Sequence, residues 1–180
     1  MTDKLDLDKY EWNEFFLEFQ KETPRAAVIV SAALLDTLLR DLIAAFMIDE
    51  SKAVDDLLGT DNNSDAPLSA FGARIRTAYC LGLISKSQYQ DLLLIKKIRN
   101  KFAHRLQGYS FEKAEVVGWC NLFQIPKRHE KILSCKSCRD KYTLTVSMLV
   151  SDLSLRIRVP VKRCNVADDP ELNRGFRVET

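Results

Sequence analysis

Residues 24 to 48 read PRAAVIVSAALLDTLLRDLIAAFMI. A helix drawn through them is apolar on nearly every side, from Ala26, Ala27 and Val28 through Leu34, Leu35, Leu38 and Leu39 to Phe46, Met47 and Ile48. Thr23 is a natural N-cap, and Pro24 suits the first helical position, where a missing N–H costs nothing. The length would serve a membrane span, but Asp36, Arg40 and Asp41 stand at the middle, where charge is expensive in hydrocarbon. The segment is therefore expected to be the central helix of a water-soluble bundle, with no membrane involvement. Asp36 and Arg40 have the i,i+4 spacing and order of a register-fixing ion pair, which Arg25 and Arg74 are placed to join.

Helical periodicity extends outward in both directions. Tyr10, Phe15, Phe16 and Phe19 recur among acidic residues and predict an amphipathic helix over residues 5 to 22. A short acidic helix is expected over 49 to 58, a turn-rich loop over 59 to 67, and a helix over 68 to 83. Ser85 and Gln88 have the spacing of a capping box, with Ile84 set to staple against Tyr89, so another helix should start there and reach His104 or Arg105. Ser110 is read as the cap of a helix ending near Phe123, Pro126 as a break, and residues 140 to 157 as the last helix. The alternation at 155 to 161 is too brief to argue for a sheet. The expected fold class is all-α, a single-domain helical bundle of six or seven helices over residues 1 to 158, followed by a tail over 159 to 180 that is mobile or draped on the surface.

The 180 residues, 46% hydrophobic and 29% charged with 6 Gly and 5 Pro, suffice for one packed core and exclude disordered and fibrous classes. Five cysteines, an odd number, and an acidic, polar start without a secretory pattern point to free thiols in a reducing cytoplasm. The formal charge of +2 conceals a division. Residues 1 to 70 carry six basic against fifteen acidic side chains, and residues 71 to 180 carry twenty-one against ten. Such asymmetry can attract an acidic protein, nucleic acid, or the opposite end of a second copy, unless the two halves interleave in the fold.

Phe15-Phe16-Leu17-Glu18-Phe19, Glu22 to Ala27, Ala32 to Asp36, Leu57-Leu58-Gly59, Pro67 to Arg74, Ala78 to Ile84 and Ile95 to His104 form an ordered series. Together they resemble the mannitol operon repressor family over residues 14 to 125. The resemblance implies an all-α transcriptional regulator that lacks a recognisable DNA-reading motif and acts through a protein partner.

The segment from Ile95 to His104, IKKIRNKFAH, is the most informative for chemistry. At about 100° per residue, Leu92, Ile95, Ile98 and Phe102 form a buried stripe, with Arg99 at its edge and His104 about 140° from Arg99. Arg99 and His104 therefore cannot meet within one regular helix. The segment also matches the Arg, four residues, His pattern of the HEPN ribonuclease superfamily. That resemblance implies a metal-independent ribonuclease in which Arg99 holds phosphate, His104 is acid or base and Asn100 orients. The plainer reading pairs Arg99 with a buried acid such as Asp36 and leaves His104 at the helix end. If the helices converge, Asp36, Arg74, Arg99 and His104 form one polar binding cluster.

Lys96, Lys97, Lys101 and Arg105 crowd the same helix, and Lys127 and Arg128 open a second cationic cluster. Both can grip DNA or RNA phosphates without reading sequence, and both can equally be a solvated face. Cys135-Lys-Ser-Cys138 is a single CxxC, and Cys120 and His129 are the candidates to complete a zinc site, against unpaired thiols as the simpler reading. No phosphate loop, dinucleotide fingerprint or nucleophile elbow occurs, so no cofactor is implied. Three classes of function remain: a regulator acting through a protein partner, with a homodimer through its apolar faces as a further candidate; the HEPN-type ribonuclease; and an immunity protein whose acidic half neutralises a basic toxin.

Overall fold

In a computed structural model of the chain, residues 19, 21–60, 65–104, 108–129 and 135–158 are described, the side chain of His129 excepted. The expected helix over 5 to 22 lies largely outside this set, as do Arg105, Cys164 and the tail over 159 to 180. Seven helices are found among the described residues: α1 (Pro24–Phe46), α2 (Ser51–Leu58), α3 (Phe71–Cys80), α4 (Lys86–His104), α5 (Ala114–Cys120), α6 (Gln124–His129) and α7 (Cys138–Arg158). The fold is an all-α bundle with α1 at its centre, packed against α7, α4 and α3. None of these helices is long and apolar enough to cross a membrane.

The capping chemistry explains most boundaries. Thr23 Oγ1 accepts the Ala26 N–H at 3.2 Å and Pro24 follows, starting α1 as its sequence requires. At α4, Gln88 Oε1 accepts the Ser85 N–H at 2.8 Å and Ser85 Oγ accepts the Gln88 N–H at 3.3 Å, a closed capping box. Ser137 and Asp140 repeat the reciprocal arrangement at α7, at 3.0 and 2.8 Å, which starts that helix two residues before the expected position. Helix α3 stops at Cys80 because Gly82 takes φ 71° and turns the chain back. The Leu83 N–H then reaches Ala78 O at 2.9 Å and the Gly82 N–H reaches Tyr79 O at 3.0 Å, a Schellman stop.

Two boundaries differ from expectation. Ser110 does not cap a helix. Its carbonyl accepts the Lys113 N–H at 3.4 Å in a turn, and α5 begins after Lys113. Pro126 does not break the chain either, because it is the third residue of α6, where a first-turn N–H needs no intrahelical partner.

Val28, Leu35, Leu39 and Ile43 of α1, Leu92, Ile95, Ile98 and Phe102 of α4, and Tyr142, Val146, Leu149 and Leu153 of α7 are all sealed from water. Phe111 and Phe123 extend this core toward α5 and α6. A polar contact crosses it: Ser31 Oγ and Tyr142 Oη lie 2.8 Å apart, both fully buried, joining α1 to α7. Burial pushes the Tyr142 phenol above its ordinary range, with the Ser31 bond pulling weakly against it.

Candidate functional site

The side of α4 turned away from its buried stripe is cationic toward its C-terminal end. Lys97 Nζ stands 4.6 Å from the centre of the Trp119 ring on α5, and Lys101 Nζ pairs with Glu115 Oε2 at 3.2 Å. Tyr109 Oη donates to the other oxygen of Glu115 at 2.6 Å, and its ring meets Phe102 edge-on at 4.9 Å. These contacts tie the end of α4 to α5. Beside them Lys97, Asn100, Lys101 and His104 line a shallow depression of about 360 Å³. Lys97 and His104 are exposed, and Asn100 and Lys101 are partly so.

The second site is built on Arg74 of α3. Its Nε donates to Leu68 O, its Nη2 to Leu58 O and its Nη1 to Asp36 Oδ1, each at 2.8 Å. A nearly buried guanidinium with this set of acceptors locks α1, α2 and the approach to α3 together. Burial raises the Asp36 carboxyl above its ordinary value, while Arg74 and, more weakly, Arg99 pull it down.

The four residues expected to form one polar cluster are thus divided. Asp36 and Arg74 are in contact, and Arg99 is near enough for its charge to act on Asp36. Arg99 itself is exposed and donates to Asn100 Oδ1 at 3.1 Å. His104 belongs to the depression on the other side, and no described contact links it to Asp36 or Arg74. The expected Asp36–Arg40 pair is also absent among the described ion pairs. Arg40 turns instead to Asp55 of α2 at 2.6 Å and to Gly59 O at 3.2 Å, since Arg74 already occupies Asp36.

The cationic residues do not make one stripe. Lys96 Nζ lies against Gly72 of α3, on a flank of α4 separate from the depression. Lys127 and Arg128 belong to α6, where Arg128 Nη2 donates to Ser87 Oγ at the start of α4. That end lies about 20 Å from Lys101 at 1.5 Å rise per residue.

Of the candidate metal ligands, Cys120 is buried in the core, Cys138 Sγ donates to Val116 O at 3.8 Å, and the His129 side chain lies outside the described residues. Among the described residues no group of three or more His, Cys, Asp or Glu side chains converges as a metal site would require. Sequence reasoning missed Asp91 and Trp119. Asp91 is a fully buried acid whose partners begin 33 residues further on, and Trp119 gains its role only through the cation above it.

The fold and surface can be set beside known proteins. A family model described as MtlR, mannitol repressor, matches residues 17–153. The mannitol operon repressors of Escherichia coli K12 and of a second Escherichia coli strain are each 26% identical over 97 residues, covering 54% of this chain and 50% of theirs. The chain therefore spans about half the length of the curated relatives it matches. A solved structure, the MtlR–HPr complex from Escherichia coli, is similar in fold with a TM-score of 0.62 at 21% identity, over 79% of this chain and 98% of that one. With the family model covering most of the helical bundle, from before α1 into α7, the chain belongs to the mannitol repressor family.

Proposed function

We propose that this chain is a cytoplasmic transcriptional regulator that works by holding a protein partner, and that its partner is HPr, the protein complexed with its structural neighbour. The observation that carries this reading is the agreement of fold over 98% of a chain solved in that complex. The surface supports a protein partner over direct DNA binding. Its cations are split between two ends of α4. A duplex needs a continuous run of phosphate contacts, whereas a folded partner can use one local face.

The test is calorimetric titration of the purified chain with HPr, repeated for Lys97→Glu and Lys101→Glu. Saturable binding that the charge reversals weaken at least about tenfold supports the reading, since close charge pairs at interfaces are worth a few kcal/mol. Absence of HPr binding, together with a salt-steep shift of plain DNA, would replace it with direct repression.

The HEPN-type ribonuclease is the second reading, favoured by the exposure of Arg99 and His104 and the presence of Asn100 between them. Because Arg99 and His104 point away from each other on α4, a second copy would have to complete the site. Cleavage of RNA that is lost in His104→Ala would establish this activity.

A further inference from the structure

Between Asp65 and Glu112 the chain carries one acidic residue, Asp91, and that residue is fully buried against the start of α6. The hairpin of α3 and α4 therefore presents no carboxylate of its own to solvent. Its helices run antiparallel, since Tyr79 meets Tyr89 at one end and Gly72 meets Lys96 at the other. At about 100° per residue, Gly72, Arg76 and Tyr79 share one side of α3, and Tyr89, Leu93 and Lys96 share one side of α4. The result is an outer seam with aromatic rings at one end and cations at the other, about 10 Å away by the helical rise. This seam is separate from the depression of Lys97, Lys101 and His104 on the α5 side.

We propose that the seam is a binding face for single-stranded RNA, in which the tyrosine pair stacks a base and Arg76, Lys96 and Arg99 hold phosphates. It is a second face, beyond the one that holds a protein partner and independent of it. The Tyr79 and Tyr89 rings stack with centroids 4.5 Å apart and planes 19° from parallel, and Tyr79 is 37% exposed. A nucleobase extends such a stack at small ordering cost, because the two rings already hold each other in place. Neither hydroxyl has a hydrogen-bond partner among the described residues, so both are free to meet a ribose 2′-hydroxyl.

The cationic end gathers like charges. Arg76 Nη1 donates to Gly72 O at 3.3 Å, and Lys96 lies so close to the same glycine that a β-carbon there would fall 2.3 Å from its Nζ. Arg99 is exposed, three residues further along α4. None of the three makes an ion pair among the described residues, and Asp36 is taken by Arg74. A phosphate between them relieves this repulsion. Three cations on one short seam do not supply the continuous contacts of a duplex, whereas a single strand bends to bring a base and its neighbouring phosphates to one place. An acidic protein segment would satisfy the cations equally, and the exposed ring beside them is what favours a nucleobase.

The test is fluorescence anisotropy of a labelled oligo(U) of about twelve nucleotides titrated with the full chain, with oligo(dT) and polyglutamate as competitors. Binding should saturate and weaken with salt at a log–log slope of about −2, for three phosphate contacts on a single strand. Tyr79→Ala should weaken it about tenfold, while Tyr79→Phe, which keeps the ring, should lose only the share owed to the hydroxyl. Lys96→Ala should make the salt slope shallower by about 0.7. Titration of Tyr79→Ala with HPr should match that of the unsubstituted chain. Absence of oligo(U) binding at low salt overturns the assignment. Competition by polyglutamate as effective as unlabelled oligo(U) also overturns it, in favour of an acidic protein, and equal affinity for oligo(dT) overturns it in favour of a deoxy strand. The competitions on the unsubstituted chain and the slope of Lys96→Ala decide the matter even if Tyr79→Ala fails to fold.

Discussion

The carboxylate of Asp91, in the second turn of α4, caps a helix that begins at Gln124. It accepts the Gln124 N–H at 2.7 Å and, through its other oxygen, the Ile125 N–H at 3.0 Å. Two donors that α6 cannot satisfy internally are thereby met by a fully buried acid from another element. Burial raises the Asp91 carboxyl, while these two bonds and the nearby Arg128 and Lys127 work against the rise.

Asp91→Ala should therefore cost about 2 kcal/mol in urea unfolding, because it strands the buried Ile125 N–H and the part-buried Gln124 N–H as well as losing a cap. Asp91→Asn should cost less, since its carbonyl can still accept one bond. An unchanged midpoint in Asp91→Ala would mean that α6 needs no anchor.

Asp36 gives a pH dependence of the less common sign for an acid. Its folded-state carboxyl lies above the ordinary 3.8, so in the window between the two values the folded protein binds more protons than the unfolded one. Stability contributed by this group accordingly rises as pH falls through the raised value and levels off below 3.8. Unfolding of the wild type and Asp36→Asn compared from pH 7 to pH 3 should show the difference moving in favour of the wild type on acidification. A difference moving the other way would show that Arg74 outweighs burial.

The bond between Ser31 and Tyr142 predicts a loss of about 1 kcal/mol in Tyr142→Phe. Ser31→Ala and the double substitution complete a cycle whose coupling should be of similar size, since the residues share no other direct bond. Purely additive losses would indicate that the hydroxyls do not interact.

Lys97→Ala should alter Trp119 emission in a Trp12→Phe background, with less than about 1 kcal/mol of stability lost, as an exposed cation–π pair is weak. Emission unchanged in this variant would place the ammonium away from the ring.

Ser85→Ala should lower stability by about 1 kcal/mol by opening the capping box of α4. Hydrogen exchange should speed up in the first turn of that helix and leave its C-terminal turns unchanged.

Local rules read α1 and α4 with little error, and for a physical reason. The Thr23 and Ser85 caps, the Pro at the first position of α1 and the 3.6-residue apolar stripe of α4 act over four or five residues, within reach of the chain's own sequence. The same reach makes the all-α class and the central place of residues 24 to 46 visible from composition and periodicity alone. Other outcomes were settled by competition among residues distant in the chain. Arg74 took Asp36 from Arg40, and Asp91 allowed a helix to form around Pro126. Cys138 likewise met the Val116 carbonyl, because packing α5 against α7 brings together groups that sequence spacing separates. Hydrogen bonds and charges pair according to distance in space, and that distance is set only once the apolar faces have packed.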